Sequence, residues 1–218
     1  AIHDAKPDVI IIGGDMIVGR PDMDHSIALN LINELVKDYT VFYGKGNHEQ
    51  KLSSGSAICD PSYEEYEKRL KQSNVRLLIN ESEKYDGLIV AGLDISIDFY
   101  RKRNRPVMSA AYLEDTIKKT DRSQFTILLA HDPVYFKDYV NWGADLILAG
   151  HVHGGIMRIP GLGGVISPRY TFFPHYDYGE FKEENSTMIL SRGLGSHTIK
   201  LRLNNIPEIV VIDLARKE

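Results

Sequence analysis

The 218-residue chain is predicted to fold as an α/β sandwich, and three observations predict it. Short, almost wholly apolar runs, the mark of strands buried on both faces, recur at Asp8–Ile12, Thr40–Tyr43, Phe125–Ala130 and Asp145–Ala149. Amphipathic helical patterns separate the early runs, the alternation expected of a largely parallel sheet. Each run ends in residues capable of polar chemistry: Gly13-Gly14-Asp15, Gly44-Lys45-Gly46-Asn47-His48-Glu49, His131-Asp132-Pro133 and Gly150-His151-Val152-His153-Gly154-Gly155. In such a sandwich the loops gather these residues at one edge.

Taken in order, Ala1-Ile2-His3-Asp4-Ala5-Lys6-Pro7 reads as the last turn of a helix stopped by proline, with no methionine or signal pattern before it. The chain is therefore expected to be a fragment. From Asp24 to Val36, Ile27, Leu31 and Leu35 recur at a spacing of four with Ala28, Ile32 and Val36 beside them, a core-facing helical stripe. Lys51–Cys59 is small and polar, a loop, and Pro61–Ser73 is a charged helix with proline at its start. Val75–Ile79 is a short strand, and Glu83–Asp94 a hairpin turning at Asp86-Gly87. Ser109 is placed to cap a helix Ala110–Lys119 whose lysines lie at its C-terminal end, where the dipole favours them. Residues 134–142 form a short helix. A long glycine- and proline-rich loop, Pro160–Tyr178, carries Tyr170, Phe172, Phe173, Tyr176 and Tyr178, either as a cover for a leaving group or as packing over the sheet edge. Thr187–Ser191 and Glu208–Leu214 read as strands flanking Arg192-Gly193-Leu194-Gly195. No repeat or interdomain linker interrupts the pattern, so residues 1–218 are expected to be one domain.

Composition narrows the function. A hydrophobic content of 43% supplies one good core, and a net charge of -4 argues against nucleic-acid binding, sequence-specific or general. No apolar run approaches bilayer length, which predicts a soluble domain. The single cysteine, Cys59, excludes an internal disulfide and reads as an ordinary loop thiol. The basic run Arg101-Lys102-Arg103-Asn104-Arg105 is either a solvated loop or an attractor of phosphate.

The strand ends together supply Asp15, Asn47, His48, His131, His151 and His153. One carboxylate, one amide oxygen and several imidazoles form a donor mixture suited to divalent metals, and a bridging carboxylate lets two ions sit about 3.5 to 4 Å apart. Such a pair acidifies water and clamps phosphoryl oxygens, which implies hydrolysis of a phosphoester. If the backbone beyond Ala149 stays extended, His151 and His153 point the same way. His3, His25, His175 and His197 match no motif and read as surface or loop residues.

In order and spacing, Gly14-Asp15, Gly46-Asn47-His48-Glu49, His131 and Gly150-His151-Val152-His153 resemble the GD, GNH[DE], H and GHxH motifs of the calcineurin-like metallophosphoesterase superfamily. The later stretches Phe173-Pro174, Tyr178-Gly179, Ser191 to Gly195 and Asn205 to Ile209 look like its bacterial YkuE/YaeI-like branch of small, often membrane-associated phosphohydrolases. The resemblance implies a four-layer α/β/β/α sandwich, a small phosphoester substrate, and two divalent ions (Mn, Fe, Zn, Ni or Mg) with a metal-bound hydroxide as nucleophile. Position by position it implies that Asp15 bridges both ions, that Asn47, His131 and His151 complete one site, and that His153 belongs to the other. His48 would lie over the phosphoryl group, stabilising charge or protonating the leaving oxygen. Arg192, at a strand end, is placed either to grip phosphate or to form a structural ion pair.

The superfamily's first motif, Asp-x-His on the first strand, is missing, and His3-Asp4 has the reverse order. The expectation is a sandwich lacking its first strand, holding at most one metal well and hydrolysing poorly, with unpaired strand backbone that invites instability or strand exchange. A missing N-terminal segment could also tether the domain to a membrane. Two rivals stand beside this reading. One is a non-catalytic relative using the scaffold to bind a partner. The other is a different dinuclear hydrolase, such as an amidohydrolase or lactamase, against which the amide ligand Asn47 and the single bridging Asp15 count.

Overall fold

In a computed structural model, which describes residues 1–53, 60–101, 103–155, 158–159, 163–165, 172–195 and 202–215, the apolar runs become strands of two sheets. A short helix α1 (Ile2–Ala5) stops at Lys6, whose φ is 49°, just before Pro7. Strands β1 (Val9–Ile12), β2 (Thr40–Gly44) and β3 (Arg76–Leu78) then form a parallel sheet in that order, with Ile11 opposite Phe42 and Phe42 opposite Arg76. The second sheet is larger and mixed. Its hairpin β4 (Glu81–Tyr85) and β5 (Leu88–Leu93) turns through Asp86 and Gly87, at φ 48° and 78°, the two left-handed residues a tight hairpin turn demands. Strands β6 (Thr126–Ala130) and β7 (Leu146–Ala149) follow in parallel beside β5. After a two-residue pairing of β8 (Arg158–Ile159) with β9 (Gly163–Gly164), β10 (Gly179–Glu183) and β11 (Ser186–Leu190) close the sheet in the order β10-β11-β7-β6-β5-β4.

Three apolar clusters show that the chain is layered as helix, sheet, sheet, helix. Phe42, Leu78, Val90 and Leu129 lie between the sheets with Val9, Ile11, Tyr85 and Leu148 against them. Outside the first sheet pack α2 (Ser26–Asp38), the short α3 (Asn47–Leu52) and α4 (Pro61–Gln72), through Ile32, Leu35, Leu52, Tyr63, Tyr66 and Leu70. Outside the second sheet, α5 (Ala110–Ile117) and α6 (Phe136–Trp142) bury Leu113, Ile117, Phe136, Tyr139 and Trp142. This is the expected four-layer α/β fold. Two predicted local signals are met: Pro61 opens α4, and Ser109 accepts the Tyr112 N–H; Asp60 adds a cap by accepting the Ser62 N–H.

Several expectations are corrected. The inward stripe of α2 is Ala28, Leu29, Ile32 and Leu35, while Ile27 is 80% exposed and Leu31 faces outward. The helix carries two apolar stripes, and only the sheet beneath selects between them. His25 is buried rather than superficial, edge-on to Tyr66 at 5.4 Å, and burial lowers its pKa. Lys51 and Leu52 end a helix rather than begin a loop. Glu208–Leu214 has strand-forming residues but no ladder partner among the described residues, and Ile209, Val211 and Leu214 stand exposed. The hairpin strand β10 escaped the sequence reading, although Gly179-Glu180-Phe181-Lys182-Glu183 alternates and a turn follows at Glu184. Among the described residues β1 has a ladder partner, β2, on one side only, and its four residues are half-buried. Cys59, Lys102, Tyr170 and His197 lie outside the described residues. Among those described, no helix is long and apolar enough to cross a membrane.

Candidate metal centre

The C-terminal ends of β1, β2, β6 and β7 bring Asp15, Asn47, His131 and His151 together. The approach of the first two loops depends on glycine at two positions. Gly14 has φ +91°, and a Cβ there would run into the backbone nitrogen of Gly46, while a Cβ on Gly46 would strike the Asp15 carboxylate. The loops therefore meet backbone to backbone. Asp15 itself has φ 54°, tolerable for an aspartate, and its Oδ1 accepts the His48 N–H at 2.9 Å.

Asp15, His131 and His151 each place a ligand atom within 4.8 Å of the others. His131 Nε2 lies 2.8 Å from Asp15 Oδ2, and its Nδ1–H donates to the Gly13 carbonyl, also at 2.8 Å. A histidine anchored through Nδ1 keeps Nε2 aimed, the arrangement of a metal-ligating imidazole. Asn47 Oδ1 is 2.7 Å from His151 Nδ1, and the His131 and His151 rings are 5.6 Å apart. Burial opposes charge on both members of the central pair. The attraction prevails: Asp15 is held well below the usual carboxylate range, and His131 rises to about 9. This site, rich in donors and carrying one anion, fits a divalent cation.

His48 stands beside the pair. Its Nδ1 accepts the Gly19 N–H at 2.8 Å, so the neutral ring carries its proton on Nε2, 3.9 Å from Asp15 Oδ2. His153 does not join the cluster. Both His151 and His153 have left-handed backbones, with φ of 65° and 51°, so the alternation assumed for an extended chain does not hold. The His153 carbonyl is tied down by Asn205 Nδ2 at 2.6 Å. Arg192 is likewise engaged: its Nε and Nη2 donate to Glu208 Oε2 at 3.0 and 2.6 Å, and its guanidinium lies 4.2 Å above the Tyr178 ring. Of its two expected roles, the structural ion pair is the one formed. In the basic run, Arg101 pairs with Asp98 at 2.7 Å and is 64% exposed.

Two supports were missed in the sequence. Glu49, fully buried, accepts the N–H groups of Asp15, Met16 and Gly46 and the Tyr43 hydroxyl, all at 2.8–3.1 Å. Its signal was the glutamate three residues after Gly46, the N3 position of a capping box. The second is Tyr100, whose ring is 5.1 Å from that of His151.

Nearby, Lys45 Nζ is 2.7 Å from Glu67 Oε2 and 3.9 Å from Asp94 Oδ2, with the lysine 5% exposed. Burial pushes Asp94 up to about 6, against the pull of Lys45. Burial acts likewise on Glu67, but hydrogen bonds from Lys45 and Lys71 outweigh it and hold that carboxyl at about 2. The signs are therefore opposite. Glu67, depressed, stabilises the fold above its unfolded value of 4.5, and this is lost as pH falls toward 2. Asp94, raised, costs stability as pH climbs from its unfolded 3.8 through 6. Asp94→Asn is expected to be about 2 kcal/mol more stable than the parent at pH 7.5, with the gain shrinking to nearly nothing at pH 4. Urea unfolding at the two pH values reads this, and a destabilised variant at pH 7.5 would reverse the assignment.

The layered fold and the candidate metal ligands gathered at one strand edge have the form of a metal-dependent phosphoester hydrolase domain. The chain belongs to the calcineurin-like phosphoesterase family, whose family model matches residues 1–155. It is 27% identical over 216 residues to the metallophosphoesterase YkuE of Bacillus subtilis, covering 98% of this chain and 70% of that protein. A Helicobacter pylori metallophosphoesterase is 27% identical over 218 residues, covering 99% and 53% respectively. The phosphodiesterase YaeI of Escherichia coli is 24% identical over 219 residues, covering 96% and 71%. These relatives support the bacterial branch read from the motifs. No solved structure matches the chain.

Proposed function

We propose that the chain hydrolyses phosphoesters with a divalent cation held by Asp15, Asn47, His131 and His151. The observation that carries this is the meeting of ligand atoms from Asp15, His131 and His151 within 4.8 Å, drawn from three separate strand ends. Bound there, the cation supplies Lewis acidity, acidifying water and drawing charge from the phosphoryl oxygens. The chain's own residues do the rest. Asp15 provides the anion that retains the cation, and the Gly13 carbonyl keeps Nε2 of His131 pointed at it. The His48 ring, its proton placed on Nε2 by the Gly19 N–H, donates a hydrogen bond to a phosphoryl or leaving oxygen and stabilises the charge that develops there.

A second cation, where one binds, draws on Asp15 and His153. Two fixed donors hold a metal poorly, so this chain carries one ion well and turns over slowly. Metal analysis after loading with Mn, Fe, Zn, Ni or Mg tests this alongside p-nitrophenyl phosphate, its diester and a p-nitrophenyl carboxylic ester. The diester comes first because one relative is named a phosphodiesterase. One ion per chain and cation-dependent cleavage of phosphate esters alone are expected. Two tightly held ions would refute the single-cation reading. Carboxylic-ester cleavage without phosphatase activity, or no cation uptake at all, would refute the phosphoesterase reading.

A further inference from the structure

Tyr100 ends the single-turn helix Ile97–Tyr100 that follows β5. Its hydroxyl is buried and has no hydrogen-bond partner among the described residues, which is rare for a group of this kind and calls for a partner from elsewhere. The ring stands 5.1 Å from His151, tilted by 54°. A phenol, with its ordinary pKa of about 10, is a neutral O–H donor at neutral pH. Acceptors at and near the centre are already engaged, Asp132 Oδ1 by the Val134 N–H among them. Asp15 Oδ1 takes the His48 N–H and Oδ2 faces His131, Asn47 Oδ1 faces His151, and the Asp132 carbonyl takes the Tyr139 hydroxyl at 2.8 Å. A cation cannot accept from an O–H group. An oxygen of a ligand lying against the His151 side of the centre can.

We propose that the Tyr100 phenol donates a hydrogen bond to a non-bridging oxygen of the phosphoryl group bound at this centre, making it a substrate-binding and catalytic residue. The assignment rests on the phosphoesterase reading above. It adds a neutral donor beside His151, where the two arginines considered above for a phosphate role are engaged, Arg192 by Glu208 and Arg101 by Asp98. A neutral donor is also suited to strengthening as charge grows on the phosphoryl oxygens.

Tyr100→Phe removes only the oxygen and keeps the ring against His151. The experiment loads parent and variant with Mn²⁺ and measures metal content, inorganic phosphate affinity by calorimetry, and diester hydrolysis. Expected are unchanged metal content, a phosphate affinity weaker by about tenfold and kcat/KM lower by about 10- to 100-fold. The melting point of the metal-free variant should equal or exceed the parent's, because an unpartnered hydroxyl has gone. A variant that binds phosphate and turns over like the parent overturns the assignment while leaving the phosphoesterase reading intact. So does a variant whose melting point falls with its phosphate affinity unchanged. A metal-loaded parent that binds no phosphate overturns both.

Discussion

Asp15→Asn is expected to abolish tight cation uptake and to lower phosphoester hydrolysis by roughly three orders of magnitude. Asp15 is the one anion among the four residues that meet at the centre, and its Oδ2 faces His131 Nε2 at 2.8 Å. Asparagine keeps the shape and, like aspartate, tolerates the left-handed backbone at φ 54°. Its oxygen can still accept the His48 N–H, and its amide nitrogen then turns toward His131. The charge disappears while the loop stays in place. His131 loses the carboxylate that raises its pKa and becomes an ordinary neutral imidazole. Metal analysis, turnover and melting temperature together read the result. A variant that folds as well as the parent and retains its cation would remove Asp15 from the centre.

Glu49→Ala is the substitution expected to cost the most stability, about 4 kcal/mol. Its carboxylate is fully buried and binds three backbone N–H groups and the Tyr43 hydroxyl, which in turn lies 3.1 Å from that of Tyr66. Removing it strands those donors in a protein interior and frees the loop bearing Asp15 from the one bearing Asn47. Glu49→Gln offers an amide where a carboxylate met four donors, and about half the loss is expected. Urea unfolding at neutral pH measures both, and cation uptake should weaken in step because the two ligand loops share this clamp. A loss below about 1 kcal/mol for Glu49→Ala would show that water replaces the carboxylate at little cost.

Much of the layout was legible because its causes are local. A strand buried on both faces must be apolar throughout, which is why β2, β6 and β7 stand out in composition alone. The Asp86-Gly87 turn, Pro61 at a helix start and the Ser109 cap each need only the next few residues. The candidate metal-centre residues were legible for a related reason: a strand end followed by glycine and a polar side chain is a local pattern, repeated here at Asp15, Asn47 and His151, while His131 follows β6 directly.

What could not be read depends on groups far apart in the chain. The ion pair of Arg192 with Glu208 spans 16 positions, and Tyr100, after β5, meets His151, after β7, with all of β6 between them in the chain. Strand propensity at Glu208–Leu214 names no neighbour, and without one the segment stays outside the ladders among the described residues. The alternation expected for His151 and His153 failed because the glycine-rich turn after β7 takes left-handed angles that composition permits but does not require. The amino-acid sequence by itself determined which segments are buried, where they stop and which polar residues stand at their ends, since solvent, sterics and capping act over a few residues. Only the tertiary structure decided which of those residues meet, which are held by partners such as Glu208, and which remain open toward a ligand, because these outcomes turn on packing between layers that no local pattern encodes.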